Sequence, residues 1–246
     1  MPNRDLPFVS VLTPTRNRRA FIPQLLRNYR SQSHPLDRME LVVADDGEDA
    51  VADLFKGVRG VKYLRVEPMP LGRKRNLLTA EARGEILVHM DDDDFYPRRR
   101  VEHAVERLMG SPHLLAGSSE MFIYDLFLDV VLRSGPFGPS HGTNGTLAYK
   151  REYLRENRFD DAAVIRDEQL FTRGFGNPMV QLDARATILC IQHQANTWNK
   201  NATSMQPTGL GLADFVDGKE SLRFYRYQIR KRLLGQMQDS GFKVQG

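Results

Sequence analysis

The sequence predicts an α/β fold: a mostly parallel sheet flanked by helices, then a smaller mixed region and a C-terminal helix. Three observations predict it. Short apolar runs alternate with segments of helical period through residues 1–110, the pattern of parallel strands joined by crossover helices. Polar clusters follow directly on three of these apolar runs. The chain has 246 residues, enough to bury one full core without staples.

The elements follow in order. Residues 8–13 are apolar and β-branched and stop at Pro14, as a buried strand does. Phe21, Ile22, Leu25, Leu26 and Tyr29 share one helical face over residues 20–30. Residues 39–44 form a second strand that ends at the turn signal Asp45, Asp46, Gly47. A short helix is expected over about 49–56 and a third strand over 61–66. Gly72 opens a helix to about Ala82, residues 85–90 form a fourth strand, and a helix lies near 99–108. In an open parallel sheet, ligands bind beyond the carboxyl ends of the strands. The clusters at residues 13–18, 45–47 and 91–94 should therefore converge on one edge.

The second half is read as strand segments over 114–132 and a Gly- and Pro-rich loop over 134–145. Short helices at 153–157 and 167–173 and a strand at 187–192 follow. Residues 195–212 are polar and loop-like, a candidate flap. Phe215, Leu222, Tyr225, Ile229, Leu233 and Met237 sit at helical spacing over 214–238. The chain divides into residues 1–110, residues 111–212 of the same domain, and an extension over 213–246.

Composition limits the function classes. The one cysteine, Cys190, excludes an internal disulfide framework and a multi-cysteine zinc site. No apolar run approaches the roughly 20 residues of a membrane span, and the N-terminal apolar stretch is too short for a secretory signal. A cytoplasmic protein is expected. The net charge is +4, with basic clusters at Arg16, Arg18 and Arg19, at Arg73 to Arg75, at Arg98 to Arg100 and at Arg230 to Arg232. No RNA- or DNA-binding motif accompanies them, so nucleic acid is not expected as a partner. The basic side of the last helix suits peripheral contact with a membrane surface, although packing on the domain is the commoner fate of such helices.

Four consecutive aspartates, Asp91 to Asp94, end the fourth strand. Their mutual repulsion is costly, and a divalent cation relieves it. Asp45 and Asp46 offer acceptors for ribose hydroxyls or a base N–H. Gly72, Arg73, Lys74 and Arg75 open a helix, where anions are favoured and guanidinium groups add phosphate contacts. Asp167 and Glu168 stand just before Leu170 and Phe171, and such a carboxylate can take a proton from an attacking hydroxyl. His193 follows a strand, and imidazole suits Mn-like metals.

In this order and spacing the stretches resemble the family 2 glycosyltransferases of GT-A fold, over roughly residues 7–200. The segment from Val9 to Arg18 resembles that family's first strand and its Pro-Thr-x-Asn-Arg turn. Asp45, Asp46 and Gly47 are similar to its nucleotide-contacting turn, and Gly72 to Asn76 to its Gly-x-x-x-Arg-Asn stretch. Asp91 to Asp94 resemble its DxD-Asp motif. Gly142 and Thr143, running on to Arg151, resemble the acceptor-side segment. Phe159, Asp160 and Asp161 followed by Asp167 resemble the stretch that holds the general base, and His193 to Asn196 a His-x-x-Asn element.

The resemblance implies a Rossmann-like GT-A fold and an inverting, single-transfer enzyme that uses Mn²⁺ or Mg²⁺. It implies a nucleoside-diphosphate sugar donor, uridine favoured and guanosine open, and a glycan or glycoconjugate acceptor. Residues 1–110 would hold the donor, through Pro14, Thr15, Arg16, Asp45, Asp46, Gly72, Arg73, Arg75, Asn76, Asp91 and Asp92. Asp93 and His193 would bind the metal, and Gly142 and Thr143 would lie on the acceptor side. The base is Asp167 in the register that keeps Leu170 and Arg173 in place, which is preferred, and Glu168 in the other. Two other classes compete: a sugar-nucleotide nucleotidyltransferase, and a basic, non-catalytic protein that binds nucleic acid or membranes.

Overall fold

The computed structural model describes residues 6–193 and 205–239. Most of the flap expected over 195–212, and Asn196 with it, lies outside the described residues.

The first half alternates as expected: β1 (Val9–Thr15), α1 (Ile22–Arg30), β2 (Met39–Asp45), α2 (Ala52–Phe55), β3 (Val61–Arg65), α3 (Leu71–Glu81), β4 (Ile86–His89) and α4 (Arg100–Met109). β1 pairs in parallel with β2 and with β4, and β2 with β3. The first strand is buried on both sides. Val9 and Val11 face a core shared with α1, α2 and α4, while Leu12 faces the opposite core with Leu78 of α3. Burial on both faces is why these strands read as continuous apolar runs rather than alternating ones.

The second half adds β5 (Leu115–Gly117), β6 (Met121–Asp125), β7 (Val130–Ser134), β8 (Ala148–Lys150), α5 (Glu168–Phe171), β9 (Met179–Gln181), α6 (Ala184–Thr187), β10 (Leu189–Gln192) and β11 (Gln206–Pro207). β8 runs antiparallel to β4, so the main sheet is mixed, in the order β3-β2-β1-β4-β8-β5-β9. A second sheet, β10-β6-β7-β11, stands beside it. The two meet where Phe95, just past the aspartates, bridges Leu189.

The C-terminal helix begins later than its apolar spacing suggested. Gly218, at φ 92°, precedes α7 (Lys219–Arg223), which runs through a π-helical turn at Phe224–Ile229 into α8 (Arg230–Asp239). Phe215 lies before the helix and packs against Phe122 and the core of the second sheet all the same. Phe224, Tyr225, Ile229 and Leu233 bury the helix on the second sheet. Among the described residues no helix is long and apolar enough to cross a membrane.

Candidate active site

The carboxyl ends of β1, β2 and β4 open onto one cleft of about 850 Å³. One wall, built from the strand ends and α3, includes Pro14, Thr15, Arg16, Arg18, Asp46, Lys74 and Arg75 and the four aspartates. The facing wall comes from residues 118–145 and 164–175, so segments far apart in sequence meet across it.

The acidic run is positioned by its neighbours. The Asp91 backbone N–H donates to the Tyr96 hydroxyl at 2.7 Å, and the Ile191 N–H donates to the Asp94 carboxylate at 2.7 Å. Asn28 donates to the Asp94 carbonyl at 2.9 Å. Asp94 is thus a fastener between the strand end and β10. Asp92 accepts from the Thr15 hydroxyl at 2.5 Å and lies 3.9 Å from Arg18. Asp93 lies 3.7 Å from Arg18 and 3.1 Å from His193 Nε2. The His193 ring stacks on Phe21, with centroids 4.9 Å apart. Burial pushes the Asp91 and Asp92 carboxyls above the usual range, Asp92 far above it, and neighbouring Asp93 adds to both.

Asp45 and Asp46 part company. The Asp45 carboxylate accepts from the backbone N–H groups of Gly47 at 2.9 Å and Val51 at 3.1 Å and from the Tyr63 hydroxyl at 2.6 Å. It closes the turn and does not line the cleft. Asp46 does line it, ion-paired with Lys74 and accepting from the Met69 N–H at 3.2 Å. Lys74 also donates to the Thr15 carbonyl at 3.3 Å, and burial pulls its ammonium below the ordinary lysine range against the pull of Asp46.

Helix α3 divides its basic residues in the same way. Arg73 is exposed and off the cleft, whereas Lys74 and Arg75 are buried. Arg75 Nε is 2.6 Å from Asp167, and its Nη2 is 3.2 Å from Asp91. Gly72 and Asn76 hold the loop ahead of Asp167. A Cβ on Gly72 would run into the Asp160 carbonyl oxygen, and Asn76 exchanges hydrogen bonds of 2.9 Å with the backbone of Phe159.

Across the cleft, Asn144 Nδ2 donates to Asp167 at 2.6 Å and to Glu168 at 3.0 Å. Asp167 is buried, with one oxygen against Arg75 and the other on Asn144. Glu168 is half-buried in the cleft wall, and its carboxyl is raised above the usual range by burial, with Asp167 adding to the shift. Thr143 lines the cleft, while Gly142 packs behind it against Gly117 and Met179. The buried Arg100 donates to the carbonyls of Thr146 and Leu147, both at 2.9 Å, and so anchors the loop that presents Asn144.

The model of the family described as glycosyl transferase family 2 matches residues 10–167, which include the strand-end wall from Pro14 to Asp94. The chain belongs to glycosyl transferase family 2.

As a member of that family, it is 29% identical over 101 residues to the poly(ribitol-phosphate) beta-N-acetylglucosaminyltransferase TarS of Staphylococcus aureus, covering 39% of this chain and 18% of TarS. It is 29% identical over 125 residues to the glycosyltransferase AglE of Haloferax volcanii, covering 48% of this chain and 41% of AglE. The chain therefore spans less than half the length of these relatives. Among solved structures, the mannosyltransferase PcManGT of Pyrobaculum calidifontis, in complex with GDP-Man and Mn²⁺, aligns with a TM-score of 0.60 at 19% identity, over 77% of this chain and 58% of that one. TarS residues 1–349 in complex with UDP align at 0.56 and 20%, over 75% and 60%. The likeness shows a GT-A fold.

In this family 2 domain, the cleft residues to which sequence reasoning gave no individual role include Arg18, His141 and Asn144. Asn144 stands next to Thr143, a position it singled out, and Lys74 was singled out only as part of the basic helix start. The sequence offers no periodicity by which the loop residues His141 and Asn144 might have been recognised.

Proposed function

We propose that this domain transfers a sugar from a nucleoside-diphosphate sugar to an acceptor hydroxyl, with inversion at the anomeric carbon. The observation that carries the reading is the cleft itself, in which Asp46, Lys74, Arg18 and Asp93 share one cavity with Glu168 and Asn144, and the buried His193 backs Asp93 at 3.1 Å. UDP in TarS and GDP-Man in the mannosyltransferase support a nucleotide-sugar donor and keep uridine and guanosine both in play.

On this reading, Asp46 and Lys74, with the strand-end backbone at Pro14 and Thr15, hold the nucleoside. Arg16 and Arg18 face the diphosphate. Oxygen and imidazole donors suit a hard divalent cation: a carboxylate oxygen of Asp93 and the imidazole of His193 lie 3.1 Å apart, next to the carboxyls of Asp91 and Asp92. Asp93 and His193 would hold Mn²⁺ or Mg²⁺, which supplies charge against the departing diphosphate.

The base is Glu168. The register preferred on sequence assigned this role to Asp167, but Arg75 and Asn144 occupy both of that residue's oxygens. A raised carboxyl in the cleft wall is the better proton acceptor near neutral pH. The acceptor oxygen bonds to the anomeric carbon as the bond to the diphosphate oxygen breaks. The hydroxyl proton passes to Glu168, and the electron pair leaves with the nucleoside diphosphate. Asp167 and Arg75 position the loop that carries Glu168. The family match decides against the nucleotidyltransferase alternative.

Thermal-shift titrations of UDP- and GDP-sugars, with and without Mn²⁺, test the reading. A ligand that binds the folded state raises the melting temperature by mass action. At least one donor raises it in the presence of Mn²⁺; no shift with any donor would count against the proposal.

A further inference from the structure

The two walls of the cleft differ in where their cations lie. Arg16, Arg18, Lys74 and Arg75 all lie on the donor side. Among the described residues beyond position 110 that line the cleft, Arg166 is the one arginine or lysine, and it stands beside the carboxylates of Asp167 and Glu168. Among the described residues, an anionic acceptor would meet a single cation on that wall, beside two carboxylates.

The wall instead carries a shelf of rings. His141 lies between Phe137 and Phe175, with ring centroids 4.9 Å and 4.4 Å away. All three line the cleft, and Phe137 is 54% exposed. A large aromatic ring left this exposed within a cleft offers a flat apolar surface to a ligand. His141 Nδ1 is buried without a hydrogen-bond partner, a free-energy cost that a hydroxyl admitted by a small shift of the ring would relieve. Burial holds the imidazole below its ordinary pKa, so near neutral pH the ring adds no charge. The hydroxyls of Ser118 and Ser119 and of Thr143 line the same wall. Flat apolar rings bordered by neutral hydroxyls match a pyranose, which has an apolar C–H face and hydroxyls around its rim.

We propose that the acceptor is an uncharged pyranose residue, seated on Phe137 with a hydroxyl at His141 and its reacting hydroxyl toward Glu168. This rests on the glycosyltransferase reading above and names its acceptor class. Phe137 and His141 then set acceptor specificity and leave the nucleotide side untouched.

Saturation-transfer difference NMR on the full chain with diamagnetic Mg²⁺ tests it. The probes are UDP and GDP, a set of methyl pyranosides (gluco, galacto, manno and N-acetylglucosamine), and ribitol 5-phosphate with glycerol 3-phosphate. The ring protons of at least one methyl pyranoside should receive saturation, the polyol phosphates none. Phe137→Ala should reduce the pyranoside signal at least fivefold while the nucleotide signal persists. His141→Gln, which keeps a polar edge, should retain more of it than His141→Ala. Contact with the polyol phosphates alone, no contact with any pyranoside, or a pyranoside signal unchanged in Phe137→Ala would overturn the proposal. Loss of nucleotide contact in the unmodified protein would instead overturn the donor assignment, so the two failures are distinct.

Discussion

Arg75 Nε lies 2.6 Å from the Asp167 carboxylate, with both side chains buried. The same guanidinium reaches Asp91 at 3.2 Å, so one cation ties the end of β4 to the loop that carries Glu168. Removing one member of such a pair leaves a charge stranded out of water. Arg75→Met is expected to lower stability by about 3–5 kcal/mol, read from urea unfolding followed by circular dichroism. A loss below about 1 kcal/mol would mean that the pair is not the joint it is taken to be.

Glu168→Gln separates catalysis from stability. If Glu168 is the base, as proposed, it contributes about 10²–10⁴-fold to the rate, so turnover falls by that factor while donor affinity is kept. Its folded-state pKa is raised, so the folded protein binds this proton more tightly than the unfolded chain. The ionised group therefore costs stability above the raised pKa, and the cost disappears as pH falls below the unfolded value. Glu168→Gln should accordingly melt no lower than the parent at neutral pH. In the parent, kcat/KM declines as pH falls through the raised pKa. Asp167→Asn, by contrast, should lower the melting temperature, because it removes the charge facing Arg75. Near-normal turnover in Glu168→Gln would return the role of base to Asp167.

Asp45 and Asp46 are adjacent in sequence and opposite in role. Asp45→Asn weakens a turn held by two backbone N–H groups and the Tyr63 hydroxyl, at a cost of about 1–3 kcal/mol, visible as a lower urea midpoint. Asp46→Asn should weaken nucleotide binding at least tenfold by calorimetry. If Asp45→Asn lowers affinity with stability unchanged, the assignment is reversed.

That pair marks how far the sequence was legible. The order of strands and helices through residue 109 follows from hydrophobic period, because both faces of the sheet are covered. The convergence of strand ends follows from the same order. Which of two neighbouring aspartates faces the ligand does not, because it turns on where the strand stops and the turn begins. The phase of α3 was hidden too: its buried side carries Lys74 and Arg75 rather than apolar residues alone, so hydrophobicity did not distinguish Arg73 from its neighbours. β5, β8 and β9 are each 3 residues long, too short to show a period. The choice between Asp167 and Glu168 depended on the placement of Arg75 and Asn144, which only the folded chain reveals.

Gly72 permits the close approach of the Asp160 carbonyl, and its N–H donates to Ala163 at 2.9 Å. Gly72→Ala forces that loop away from α3. Overpacking of this kind costs about 1–3 kcal/mol. The loop leads into Asp167 and Glu168, so turnover should fall while metal-dependent nucleotide affinity changes less than threefold. Unchanged activity would show that the loop moves without disturbing the base.

The central claim is that this cleft turns over a nucleoside-diphosphate sugar with a metal held by Asp93 and His193. Release of nucleoside diphosphate from UDP- and GDP-sugars, by the parent and by Asp93→Ala, with Mn²⁺ or with EDTA, tests it most directly. The account predicts release by the parent in Mn²⁺ with at least one donor, and almost none with EDTA or in Asp93→Ala. No release from any donor, or equal rates for the parent and Asp93→Ala in Mn²⁺, would contradict it.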